Sequence, residues 1–75
     1  MVNKTNDRAR LQLGNKLKKA REKAGLTQVE VAAKTDMTDN YYAMIERGEV
    51  TTSIEKLQRI ADAMGVSNSR ITNSK

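Results

Sequence analysis

The chain has 75 residues, a formal net charge of +5, and neither His nor Cys. This length fits one domain with a small core; the missing Cys excludes disulfides and thiolate metal sites, and the missing His removes the commonest general base and transition-metal ligand. The sequence shows no combination of a nucleophile and a base, so we expect no enzymatic activity, and we expect no cofactor or metal. It also shows no apolar run near the ~20 residues of a membrane span and no signal-peptide pattern, so we expect a cytoplasmic protein.

Residues 1–7 show no apolar periodicity, and we expect a flexible tail there. Apolar residues then recur at helical spacing, at Leu13, Leu17, Ala20 and Ala24. This spacing predicts a first helix from about Asp7 to Lys23, with Gly25 as its stop. Gly14 lowers helix propensity by about 1 kcal/mol relative to alanine, which indicates close packing at that point.

The positive charge is concentrated in this first segment. Residues 1–23 hold eight basic and two acidic side chains, a net charge of +6, whereas the remainder holds six basic and seven acidic ones, a net charge of −1. A basic segment on an otherwise balanced domain is typical of a protein that binds a polyanion. A solvated lysine-rich helix is an equally simple explanation of the charge alone.

Two short helices are predicted next, at about 28–34 and 39–47, joined by a tight turn. Thr27 and Glu30 have the spacing of a capping box, in which each side chain satisfies an amide at the start of the helix. Thr38 can cap the second of these helices in the same way. In a chain this small, the arrangement predicts a helix-turn-helix.

The second of these helices has two different faces. Tyr42 and Ile45, three residues apart, place apolar surface on one face, which we expect to be buried. The opposite face carries Asp39, Asn40, Tyr41, Met44 and Arg47. That polar face is left to contact another molecule.

A fourth helix is predicted after Ser53, its cap, and ends at Gly65. Its apolar stripe consists of Ile54, Leu57, Ile60, Ala61 and Met64. We interpret this stripe as core rather than as a partner-binding groove, because so short a chain needs it inside. Ser67 can start a last short turn that carries Ile71 into the core.

These patterns predict an all-α fold, since no alternating strand pattern appears and Pro is absent. The expected organisation is a domain at residues 8–72 between the tail at 1–7 and a second tail at 73–75.

From about residue 13 to residue 66 the chain resembles the phage-repressor-like helix-turn-helix regulators (Cro/C1-type, XRE family), which include restriction-modification controller proteins and many antitoxins. The resemblance rests on Leu13-Gly14, Lys16 to Arg21, Gly25 to Gln28, Val31-Ala32, Ile45 to Gly48, Leu57, Ile60-Ala61 and Met64 to Val66. It implies a lambda-repressor-like bundle of about five short helices, with helix three in the major groove of double-stranded DNA.

The resemblance also implies roles for individual residues. By this resemblance, the residues expected to contact DNA bases are Asp39, Asn40 and Met44. Those expected to contact the DNA backbone are Thr27, Gln28, Thr38, Tyr41, Arg47 and Thr51. Arg21 and Glu46 are expected to form a largely buried ion pair between helix one and the end of helix three. Simpler roles remain open for three of these residues: Asp39 can serve only the helix dipole, Tyr41 can cover the core, and Arg47 can be solvated.

Two positions depart from the family pattern. Asp36 stands in the turn where Gly is usual, because one residue there adopts a left-handed conformation that Asp tolerates better than most residues. Thr52 stands where Pro often precedes the cap of helix four. Its hydroxyl and that of Thr51 could then meet phosphates.

Charge near helix three leaves a second function open. Residues 36–49 hold four acidic side chains and one basic one, a net charge of −3. The main expectation is a small transcriptional repressor that acts as a weak homodimer on a two-fold DNA site, without a small-molecule ligand. The alternative is a protein-interaction module, such as an antitoxin-like partner, whose binding would depend far less on salt.

Overall fold

The computed structural model describes residues 4–66, and within that range the chain forms four helices. They are α1 at Lys4–Lys23, α2 at Gln28–Lys34, α3 at Asp39–Glu46 and α4 at Ile54–Met64. The expectation of about five helices is therefore corrected to four for this range. The predicted last turn, from Ser67 to Ile71, and the tail at 73–75 lie outside the described residues.

The start of α1 also differs from the expectation. The helix begins at Lys4, inside the segment predicted as a tail, and runs for 20 residues. A sequence without apolar periodicity can still extend a helix that is anchored further along, because adding a residue to an existing helix costs far less than nucleating one.

The other three helices begin where the sequence predicts, since each has a hydroxyl cap. Thr27 Oγ1 accepts a hydrogen bond from the Glu30 amide at 3.1 Å, and Glu30 Oε1 accepts one from the Thr27 amide at 2.8 Å, which completes the capping box. Thr38 and Ser53 cap α3 and α4 by accepting from the amides three residues on. Each cap satisfies an amide that would otherwise have no partner.

The turn between α2 and α3 contains Asp36 in a left-handed conformation, with φ of 60°. The amide of Met37 still donates to the carbonyl of Ala32 at 2.9 Å, so the turn closes against the end of α2. The turn therefore keeps the geometry expected of a glycine at this position, at the steric cost of a Cβ atom.

All four helices contribute to one core. Its buried members are Leu17, Val31, Ala32, Tyr42, Ile45, Leu57, Ile60, Ala61 and Met64. Leu13 and Ala20 of the predicted α1 stripe are half-buried and pack against this core, whereas two other residues of the predicted stripes are exposed. Ile54 is 78% exposed because it directly follows the cap, at the open end of the α4 stripe, and Ala24 is exposed because α1 has already ended.

Contact between α1 and α3 is closest at Gly14, which is buried. A methyl group on Gly14 would overlap the carbonyl oxygen of Glu46 and lie 2.8 Å from that of Ile45. Only a residue without a side chain allows the two helices to approach this closely, so the predicted close packing at Gly14 is confirmed. This packing fixes the end of α3 against α1.

None of the four helices in the described part of the chain combines the length and apolarity needed to cross a bilayer.

Candidate nucleic-acid interface

α3 presents one anchored face and one open face. Tyr42 and Ile45 are buried in the core. On the other side Asp39 and Asn40 are exposed and Met44 is half-buried, so the structure brings the three predicted base-reading residues to one solvent-facing surface. Asn40 Nδ2 donates to Met44 Sδ at 3.6 Å. Because a thioether is a weak acceptor, this contact can be exchanged for a stronger one.

A buried ion pair holds the carboxyl end of α3. Arg21 Nε lies 2.6 Å from Glu46 Oε2, and the two side chains are only 11% and 3% exposed. A second guanidinium nitrogen, Nη2, donates to Glu46 Oε1 at 3.3 Å, while Nη1 donates to the carbonyl of Leu26 at 2.9 Å. The planar fork of arginine therefore joins α1, the loop before α2 and the end of α3.

The surroundings of Glu46 keep its carboxylate ionised. Burial by itself would raise the pKa of Glu46, but hydrogen bonds from Arg21 and Gln28 and the charge of Arg21 outweigh it, and the pKa is lowered. Burial, and then the nearby Glu46 carboxylate, raises the pKa of the Tyr42 hydroxyl. That buried hydroxyl makes no hydrogen bond, so its interaction with Glu46 is electrostatic.

Gln28, predicted to contact the DNA backbone, belongs to the same network. It is the first residue of α2, half-buried, and its Nε2 donates to Glu46 Oε1 at 2.9 Å. An amide nitrogen carries two hydrogens, so one remains for an external oxygen. The sequence indicated only the external contact, because the two residues are 18 positions apart and nothing local joins them.

Four threonine hydroxyl groups were predicted as possible contacts for DNA phosphates. Two of them, those of Thr27 and Thr38, lie at the starts of α2 and α3. Thr27 and Thr38 use their oxygens to accept from backbone amides, which leaves each hydroxyl hydrogen for an external acceptor. Thr51 is exposed, as a phosphate contact requires. The expectation for Thr52 is not met in this conformation, because its hydroxyl oxygen is buried.

The two remaining residues predicted to contact the DNA backbone are Tyr41 and Arg47. Each of them contacts another side chain of the protein that was not predicted as its partner. Lys56 Nζ donates to the hydroxyl of Tyr41 at 3.2 Å and lies 4.8 Å from the centre of its ring. Arg47 forms two hydrogen bonds with Glu49, at 2.8 and 3.1 Å. The Arg47–Glu49 pair could have been predicted from the sequence, because only Gly48 separates the two opposite charges. The contact between Tyr41 and Lys56 could not, because these residues lie on different helices.

The open surface of this region is less acidic than the sequence suggests. Of the four carboxylates at residues 36–49, Glu46 is paired with Arg21 and Glu49 with Arg47. Within the described range, only Asp36 and Asp39 of this group have no ion-pair partner. Lys56 adds a positive charge beside Tyr41. Arg47 already offsets one carboxylate in the count of −3, so the further reduction comes from Arg21 and Lys56, and an anionic ligand would meet less repulsion than that count implies.

Two capped helices at this spacing, with a polar outer face on the second, match a known family. The model of the helix-turn-helix family matches residues 17–68, which is more than half of the chain. The chain belongs to the helix-turn-helix family. The Cro/C1-type resemblance is thereby confirmed, and the protein is a DNA-binding transcription regulator.

Individual relatives of this helix-turn-helix protein are regulators by name. The control protein C.MunI of a Mycoplasma species is 38% identical over 63 residues, which cover 83% of this chain and 85% of that protein. The immunity repressor protein of Bacillus phage phi105 is 36% identical over 59 residues, covering 79% of this chain and 41% of the repressor. The crystal structure of the clp gene regulator ClgR from C. glutamicum superimposes with a TM-score of 0.83 at 30% identity, covering 85% of this chain and 82% of that one.

Proposed function

We propose that this helix-turn-helix protein represses transcription by occupying a two-fold DNA site, with α3 of each subunit in the major groove. The observation that carries the proposal is the division of α3 into a buried face and an open polar face. A helix fits the major groove of B-DNA, where each base pair presents a distinct pattern of donors and acceptors. A bound repressor acts by occupying the site that polymerase needs.

Base recognition is proposed for Asp39, Asn40 and Met44. The amide of Asn40 can pair with adenine at N6 and N7, and Asp39 can accept from the amino group of cytosine. Met44 is half-buried and offers apolar surface to a thymine methyl group. The contact between Asn40 and Met44 supports a proposal in which the two side chains read neighbouring base positions.

Contacts with phosphates are proposed for the side chains around α3, namely Thr27, Gln28, Thr38, Tyr41, Arg47 and Thr51. The hydroxyl and amide groups among them have a hydrogen left to donate after their contacts within the protein, as the geometry of Thr27, Gln28 and Thr38 illustrates. Such contacts fix the position of α3 on the duplex and carry no base information.

A weak homodimer that tightens on DNA is part of the proposal. Two copies of α3 would read two half-sites about 34 Å apart, one turn of the duplex. The large exposed apolar residues of the described range are Leu11, Val29 and Ile54, which lie on three different helices. This distribution supports a small protein–protein contact rather than an extensive one.

The test is selection of bound sequences from a random duplex pool, followed by gel-shift titration at two salt concentrations and footprinting. We expect a two-fold motif, affinity that falls steeply with salt, and protection of both half-sites. Transcription from a promoter that carries the motif should then fall on addition of the protein. Asn40→Ala provides a loss-of-recognition variant, because it changes an exposed side chain and leaves the core intact, and it should bind the motif more weakly than the wild type.

Equal and weak binding to every duplex, with no motif selected, would show that the protein is not a sequence-specific repressor. Binding to a protein partner with little salt dependence would favour the interaction-module alternative.

A further inference from the structure

The turn that follows α3 is fixed by α1. Gly48 has φ of 73°, and a methyl group on it would lie 2.9 Å from the side chain and 3.0 Å from the backbone of Leu11. Arg10 Nε donates to the carbonyl of Gly48 at 3.4 Å. The amide of Glu49 donates to the carbonyl of Met44 at 2.9 Å, which closes the turn over the end of α3. The backbone of residues 47–49 is therefore held by contacts with α1 and by hydrogen bonds to its carbonyl and amide groups rather than by the side chains of Arg47 and Glu49.

This fixed turn brings the Glu49 carboxylate to the Arg47 guanidinium. Arg47 Nε donates to Glu49 Oε2 at 2.8 Å and Arg47 Nη2 donates to Glu49 Oε1 at 3.1 Å, so the pair is bidentate. The two side chains are 51% and 49% exposed, which excludes a role in the core. A bidentate carboxylate occupies two of the five N–H donors of the guanidinium and offsets the charge that would attract a phosphate group.

We propose that Glu49 masks Arg47, so that phosphate oxygens of a duplex compete with the Glu49 carboxylate for the charge and for the Nε–Nη2 edge of Arg47. The inference rests on the proposed function, because it assigns Arg47 to the DNA backbone. Arg47 is the single basic side chain at residues 36–49, so whether it is paired with Glu49 or free decides how much positive charge this segment offers to a phosphate. Masking lowers affinity for any duplex and leaves the choice of bases to α3.

Masking has a specific consequence for salt dependence. When an unpaired arginine binds a phosphate, about 0.9 of a condensed cation is released into solution. When Arg47 leaves Glu49, the carboxylate is stranded beside the duplex, and it retains or attracts a cation. Replacing Glu49 by glutamine should therefore increase affinity at low salt and also make affinity fall more steeply with salt.

The experiment is a double-mutant cycle of Glu49→Gln and Arg47→Gln, measured as fluorescence anisotropy of a labelled duplex that carries the selected motif. Glu49→Gln alone should tighten binding by about 2- to 5-fold at low salt, the range typical of an exposed ion pair. It should also steepen the slope of log K against log salt by up to ~0.9. In the Arg47→Gln background the same change should alter affinity by less than about 1.5-fold, because the competition no longer exists.

Glu55→Gln is the matched control, since Glu55 is an exposed carboxylate in the first turn of α4. Its effect should be the same with and without Arg47. An equally large effect of Glu49→Gln in both backgrounds would overturn the masking, because it would reflect general repulsion between a carboxylate and DNA.

Failure of the two proposals can be told apart. A wild-type protein that binds no duplex overturns both of them, whereas intact binding that is unchanged in Glu49→Gln overturns only the masking.

The NMR signal of the Arg47 Nε–H group tests the Arg47–Glu49 pair in the absence of DNA. It should shift in Glu49→Gln and stay in place in Glu55→Gln, and an unchanged signal in Glu49→Gln would contradict the pair.

Discussion

Gln28 donates its side-chain amide to the carboxylate of Glu46, with a distance of 2.9 Å between Nε2 and Oε1. The first residue of α2 is thereby tied to the buried ion pair at the end of α3. One residue that we propose as a phosphate contact is thus held in place by the same carboxylate that joins α1 to α3. The helix-turn-helix is braced at the point where its two helices would approach the duplex.

Gln28→Ala should therefore lower both stability and DNA affinity. The loss of a hydrogen bond to a charged group should reduce the free energy of unfolding by about 1.5–3 kcal/mol. Affinity should fall by a similar factor for all duplexes with little change in salt slope, because a neutral amide displaces no counterion. Urea melts and anisotropy titrations measure the two effects, and Val29→Ala, at the exposed next position, is the control. A loss of affinity without a loss of stability would mean that Glu46 does not need this donor.

Arg21→Ala should be more severe, because it strands the Glu46 carboxylate in a buried place. The expected loss is about 3–5 kcal/mol of unfolding free energy. The double variant Arg21→Ala with Glu46→Gln should recover part of that loss, since no charge is then left without a partner. Urea melts of the single and double variants provide the measurement. A loss below about 1 kcal/mol would match a surface ion pair and contradict the burial seen here.

The predictable parts of this molecule are those set by local sequence. Thr27, Thr38 and Ser53 could be predicted as caps, because capping depends on residues only three positions apart. The contact between Lys56 and Tyr41 could not, since it joins residues 15 positions apart on different helices. Exposure of Ile54 was missed for a related reason: helical spacing identifies a stripe but not where neighbouring helices stop covering it.

Low pH should destabilise the protein through Glu46. Its pKa is below the ordinary 4.5 in the folded state, so the unfolded chain takes up the proton first as the pH falls. The contribution of Glu46 is thus complete above pH 4.5 and is lost as the pH falls through its lowered folded-state pKa. Urea melts between pH 7 and pH 3 should show a smaller loss of stability for Glu46→Gln than for the wild type. Equal pH dependence of the two proteins would show that other carboxylates dominate.

Gly14→Ala should destabilise the protein although alanine is the better helix former. At an exposed helical position this change should add about 1 kcal/mol to stability. Here the new methyl group would overlap the carbonyl oxygen of Glu46, and that backbone atom cannot move without shifting α3. The expected net loss is about 1–3 kcal/mol. Asn15→Ala, at the exposed next position, should be neutral or stabilising in the same thermal and urea melts. A gain of stability in Gly14→Ala would show that α1 and α3 are further apart than in this structure.

Asn40→Ala should change which bases the protein prefers, and Gln28→Ala should not. Asn40 is exposed on the open face of α3, where we propose that its amide meets an adenine edge, so its removal should cost about 1–3 kcal/mol on the selected site. Preference at one position in each half-site should also relax, because the lost hydrogen bonds carried base information. Anisotropy titrations of both variants against a panel of single-base variants of the site measure this. Gln28→Ala should weaken all members of the panel equally and keep their order. If Asn40→Ala also keeps the wild-type order, then Asn40 does not read a base, and the proposed orientation of α3 in the groove is wrong.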